Sequence, residues 1–73
     1  MNVPKRGFIY RNKHGVHLVK RGEDECFCLY LLRRGSGWNA LRRLNATQVK
    51  QYHRRKMPDC QAEFYFRKAE ELK

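Results

Sequence analysis

The chain has 73 residues, with 17 Lys and Arg against 7 Asp and Glu, and a formal net charge of +10. That length suits a single domain whose marginal core buries only ~60% of the unfolded surface, which leaves no room for a deep catalytic cleft and its supporting shell. The longest apolar stretch, Cys26 to Leu32, is of strand length, so neither a signal peptide nor a membrane-spanning helix is expected.

Residues 1–5 are expected as a short flexible leader in which Pro4 blocks a helix. With Met1 at its start, the chain reads as a whole gene product. Gly7-Phe8-Ile9-Tyr10 is aromatic and β-branched, which predicts a strand, and Asn12-Lys13-His14-Gly15 predicts a turn. Val16 to Val19 is a second short strand, followed by a turn at Arg21-Gly22-Glu23-Asp24. Cys26 to Leu32 is the third and longest strand. Its apolar residues do not alternate with polar ones, so it is expected to be central and covered on both faces. An antiparallel meander is the simplest way to join the three.

Arg33 to Gly37 reads as a flexible loop. In Trp38 to Leu44, apolar residues recur every third position, and a strand would put Arg42 on the inward face with Trp38 and Leu44; a short helical turn is therefore expected. Asn45 is a good N-cap, with Gln48 placed for a capping box and Leu44 and Val49 for a hydrophobic staple. Arg54, Arg55 and Lys56 end this helix and Pro58 stops it. Ala62, Phe64 and Phe66 alternate with Glu63, Tyr65 and Arg67, which predicts a final strand over 61–67, with a helix from Asp59 to Leu72 as the alternative. Residues 69–73 are expected as a tail that frays or adds one turn. The expected fold is thus α+β: a three-strand meander plus a C-terminal strand in a small antiparallel sheet, with one main helix packed on it, in a single basic binding domain over residues 1–73.

The acids are clustered. No carboxylate lies between Glu25 and Asp59, an interval that holds Arg33, Arg34, Arg42, Arg43, Lys50, Arg54, Arg55 and Lys56. Such a block sets up a positive surface potential suited to phosphate backbones or an acidic protein face. Arginine dominates it, and arginine grips carboxylate and phosphate in bidentate fashion. The candidate partner-binding residues are Lys5, Arg6, Arg33, Arg34, Arg42, Arg43, Arg54 and Arg55. Most of the aromatic rings must be core in so short a chain, which leaves Tyr10 and Tyr65 as candidates to stack on bases. Arg6-Gly7-Phe8 shares a little with the aromatic strand of RNA-recognition domains, and Trp38 to Lys56 could form a helix-turn-helix.

Catalytic chemistry is not expected. No nucleophile, base and acid are suitably spaced, and the close carboxylates Glu23, Asp24 and Glu25 sit in a turn. Cys26, Cys28 and Cys60 with His14 or His17 could in principle hold zinc, but the spacing is wrong for a tight knuckle, so the thiols are expected as core residues and no metal is assigned. Three cysteines cannot form a complete internal disulfide set. With no export signal they are expected to be reduced, in a cytoplasmic protein without cofactor, small-molecule substrate or membrane partner.

Small size, arginine richness and the lack of enzyme motifs are also the character of phage host-takeover proteins. The chain resembles in particular the bacteriophage transcription regulators that bind bacterial RNA polymerase, of the inhibitor and antiterminator type found in a Xanthomonas-infecting phage. Lys5, Arg6, Arg33, Arg34, Arg42 and Arg43 carry the resemblance, by charge. It implies binding to the β′ subunit of the host polymerase, with promoter-dependent initiation blocked and termination relieved, and no catalytic residue. Direct DNA or RNA binding through phosphate contacts is the alternative.

Overall fold

Three turns set the topology. Asn12 accepts a hydrogen bond on its side-chain oxygen from the His14 N–H at 2.8 Å, which folds β1 (Phe8–Asn12) back onto β2 (Gly15–Arg21). The next turn closes through Gly22 N–H to the Cys26 carbonyl at 2.8 Å and leads into β3 (Phe27–Arg33). Arg34-Gly35-Ser36 then returns the chain into β4 (Gly37–Leu44), with Gly35 and Gly37 both at positive φ. The computed structural model describes residue 3, residues 5–22 and residues 24–71. Most of the expected leader, Glu23 of the second turn and the last two residues of the expected tail lie outside these.

The result is a four-stranded antiparallel meander in the order β1-β2-β3-β4, followed by α1 (Ala46–His53) and α2 (Asp59–Glu71). The α+β class with a small sheet holds, but two elements differ from expectation. Trp38 to Leu44 is a strand, and 61–67 is helix, so there are two helices and no C-terminal strand among the described residues.

The register explains the first difference. Leu29 pairs with Arg42 and Tyr30 with Ala40, so Leu41 is an extra residue in a bulge. The bulge switches β4 between faces, and Trp38 and Leu44 join opposite sides of the sheet although their spacing is even. The same switch leaves no Arg42 on the Trp38 face. The helix-turn-helix reading of 38–56 fails because its first helix is this strand.

Each face of the sheet is covered by a helix. Phe8, Tyr10, Val19, Leu29 and Leu44 pack with Val49 of α1 on one face; Ile9 and Leu18 pack with Ala62 of α2 on the other. The strict alternation of β1 divides Phe8 and Tyr10 from Ile9, and full burial of all three places the heart of both cores at this strand. β3 lies between two strands, as expected, but only Leu29 of its residues is fully buried. Both helices contact β1, and α2 also reaches β4, so the coverage expected for β3 is shared with the outer strands.

The link between the helices crosses the β1 edge. Met57 N–H donates to the Ile9 carbonyl at 2.8 Å, and Tyr10 bridges Lys56. This satisfies edge groups that would otherwise invite strand addition. α2 starts where the Pro58 carbonyl accepts from the Gln61 and Ala62 N–H groups, and Asp59 puts a negative charge in its first turn. Among the described residues no helix is long and apolar enough to cross a membrane.

Candidate functional site

An antiparallel meander places its first and third turns at one end and its second turn at the other. The first turn brings Arg11, Lys13 and His14, and the third brings Arg33 and Arg34. The second, at the far end, holds Asp24 and Glu25. Strand connectivity therefore keeps the carboxylates of the second turn away from Arg11, Arg33 and Arg34, while Arg21 and Arg43 share the far end with them. Two further elements add to the basic end. The antiparallel bridge of Tyr10 to Lys56 sets Arg55 beside Arg11, and α2 delivers Lys68 on the stripe Gln61, Phe64, Tyr65 and Lys68, spaced as one helix face.

Two open hollows meet at Tyr65. One, of about 520 Å³, is lined by Arg11, Arg55, Phe64 and Tyr65 among others; the second, of about 550 Å³, by Arg33, Arg34, Leu32, Tyr65 and Lys68. Among the described lining residues there are five cations and no carboxylate. The Arg11 guanidinium donates to the Tyr65 hydroxyl, and its carbon lies 5.7 Å from the ring centroid. Lys68 Nζ is 5.2 Å from the centroid of Phe64, and the Phe64 and Tyr65 rings meet edge to face at 5.3 Å. These cation–ring contacts hold the flexible side chains near the rings with about 0.5–1 kcal/mol each at such exposed sites. Phe64 itself is 56% exposed.

The residues expected to bind a partner are not brought to one face. Arg33, Arg34 and Arg55 belong to the basic end. Arg6 pairs with Glu63 at 2.9 Å and lies over the Phe66 ring, while Arg43 pairs with Asp24 at 2.8 Å at the far end of the sheet. Arg42 turns to the α1 side and donates to the Tyr52 hydroxyl at 3.0 Å. Lys5 and Arg54 are exposed and line neither hollow. The central run of positive charge is thus divided among several places on the surface, and Arg43 of it is paired with a carboxylate.

Tyr10 requires a correction as a stacking residue. It is 1% exposed, held between Tyr52 at 4.9 Å and His17 at 5.1 Å in near-parallel stacks, and burial pushes its hydroxyl up to about 12. Phe8 is buried beside it, so the resemblance of this strand to a base-stacking platform does not survive. Tyr65 lies in the site, half-buried. Sequence reasoning missed Arg11, Phe64 and Lys68. The i, i+3, i+4, i+7 spacing of residues 61, 64, 65 and 68 was the available signal, and it is hidden when 61–67 is taken as a strand.

The thiols also differ from expectation: Cys26 and Cys60 are exposed and Cys28 is half-buried, so none is a fully buried core residue. Cys26 precedes β3 in the acidic turn and Cys60 sits in the first turn of α2. Among the described residues no three His, Cys, Asp or Glu side chains gather as a metal site. No protein-family model, curated protein or solved structure matches the chain.

Proposed function

We propose that the chain is a nucleic-acid-binding module that grips phosphates with the basic end of its sheet. The observation that carries this reading is the pair of hollows around Tyr65, where Arg11, Arg33, Arg34, Arg55 and Lys68 stand with no carboxylate among the described lining residues. Like charges kept this close weaken a small domain unless something negative comes between them. Arginines at the rims of the hollows suit the bidentate geometry of phosphate.

Fluorescence anisotropy with labelled oligonucleotides tests it. Binding is expected at low salt, and five phosphate contacts give a log–log salt slope of about −3.5 on a single strand. Absence of binding at low salt overturns the reading.

A transcription regulator docked on bacterial RNA polymerase is the second reading. It draws on the outer edge of β4, where Leu41 is 46% exposed beside Arg42. A peptide edge can add there as a further strand, although the bulge and the arginines are features that discourage strand addition. Retention of polymerase from a nuclease-treated lysate by a protein that binds no oligonucleotide selects this reading over the first.

A further inference from the structure

We infer that the basic end takes an unpaired strand, with a base stacked on Phe64 and its flanking phosphates in the two hollows; this rests on the nucleic-acid reading above. Among the described residues only Leu41 and Phe64 are large hydrophobics classed as exposed. Leu41 is accounted for by the bulge in β4. Phe64 is not accounted for by folding. Its neighbours Ala62, Tyr65 and Phe66 supply the contacts of α2 with the sheet, and Phe64 belongs to neither buried cluster.

Its surroundings supply the explanation. Phe64 lines the hollow that holds Arg11 and Arg55, and Lys68 lies against its ring. Through Tyr65, against which it packs edge to face, it adjoins the hollow that holds Arg33 and Arg34. A phenyl ring contributes nothing to a phosphate contact, but an exposed aromatic ring in one cationic hollow, joined through Tyr65 and Lys68 to a second, matches the alternation of base and phosphate along a single strand. A duplex offers only base edges in its grooves, so it would leave the ring without a partner. Stacking does not depend on which base is present, so little sequence preference follows. The molecule measures 30 × 25 × 23 Å, enough for a short segment of extended strand.

Anisotropy with a ~12-nucleotide oligothymidylate and a mixed-sequence duplex of equal length tests this, in the range of site sizes common for single-strand binders. The single strand should bind at least about tenfold tighter. Phe64→Leu keeps an apolar side chain but removes the ring. It should weaken single-strand binding by about 5- to 150-fold, the range that corresponds to the stacking of one base. The salt slope and duplex binding should stay as they were, and Phe64→Tyr should restore the affinity. Equal or tighter binding of the duplex overturns the inference and leaves the phosphate-binding reading standing, as does a Phe64→Leu protein that binds the single strand normally. Binding of neither probe at low salt overturns both.

Discussion

The ring of His17 stacks on that of Tyr10, 5.1 Å away and 10° from parallel. His17 is 5% exposed, and burial is the first cause that lowers its pKa below 6.5; the nearby charge of His14 lowers it further, while its hydrogen bond with the Gly15 carbonyl acts the other way. The folded protein therefore holds a neutral imidazole where the unfolded chain would already bind a proton. Well above pH 6.5 both states are neutral and His17 contributes no pH dependence. Below it the unfolded state gains protons first, so stability falls with pH until the folded pKa is passed. The melting temperature should decline between pH 7 and 5, and His17→Phe, which keeps a ring against Tyr10, should flatten that decline. An equal decline in the variant would assign the acid sensitivity to other groups.

Gly7 and Gly35 have almost the same backbone conformation, at φ 84° and 83°, in different surroundings. A Cβ on Gly7 would lie 2.1 Å from the Val19 carbonyl oxygen, whereas one on Gly35 meets nothing within 4 Å. Gly35→Ala should cost only the left-handed backbone penalty, about 1–2 kcal/mol. Gly7→Ala adds a clash with the backbone of β2 and should cost about 3 kcal/mol or more, a large share of a total stability of order 5–15 kcal/mol. Urea denaturation midpoints compare the two. Equal midpoints would mean that β1 can shift away from β2 at little cost.

Asn45 and Gln48 close a reciprocal capping box. Gln48 N–H donates to the Asn45 side chain at 2.8 Å, and Asn45 N–H donates to the Gln48 side chain at 3.0 Å. α1 has only eight residues and no acid in its first turn, so its start depends on this pair. Asn45→Ala should lower stability by about 1 kcal/mol, with Asn45→Ser close to neutral. The denaturant slope should be the same in all three proteins, since burial is unchanged. A Ser variant as unstable as the Ala variant would show that the effect is not one of capping.

The contrast between α1 and α2 shows what could be read from residue order. Asn45, Gln48 and Val49 act within a few residues of one another, so the cap and the staple of α1 were legible. The hairpin of β1 and β2 was legible for the same reason. The end of α1 was not, because the helix stops at His53 with Arg54 as its cap, short of Lys56 and Pro58. β4 was not, because the bulge at Leu41 changes the period in mid-strand, and only pairing with Leu29 and Tyr30 reveals it. In α2 the polar residues fell between Ala62, Phe64 and Phe66 in a way that imitates a strand, yet Phe64 is exposed and Tyr65 packs with the sheet. At the basic end, Arg33, Arg34 and Arg55 could be chosen by charge. Arg11 and Lys68 could be chosen only after knowing which turns share an end of the sheet and which face of α2 looks outward.

The division of arginines into those at the basic end and those engaged in ion pairs makes position, rather than total charge, the determinant of binding. Replacing Arg33 and Arg34 with Gln, or Arg6 and Arg43 with Gln, removes two positive charges in either case. The second pair is engaged with Glu63 and Asp24 in exposed ion pairs, each worth about 0–1 kcal/mol, so both double variants should fold. If the basic end binds the phosphates, removing Arg33 and Arg34 should weaken single-strand binding and make the salt slope shallower by about 1.4, at about 0.7 for each phosphate left without its cation. Arg6 and Arg43 face carboxylates rather than the strand, so without them the slope should hold. Equal weakening in the two variants would mean that the strand responds to the net charge of +10 and not to the site around Tyr65. Measuring the slopes across a salt series separates the cases, because a general field fades with screening while a direct contact changes the number of counterions released.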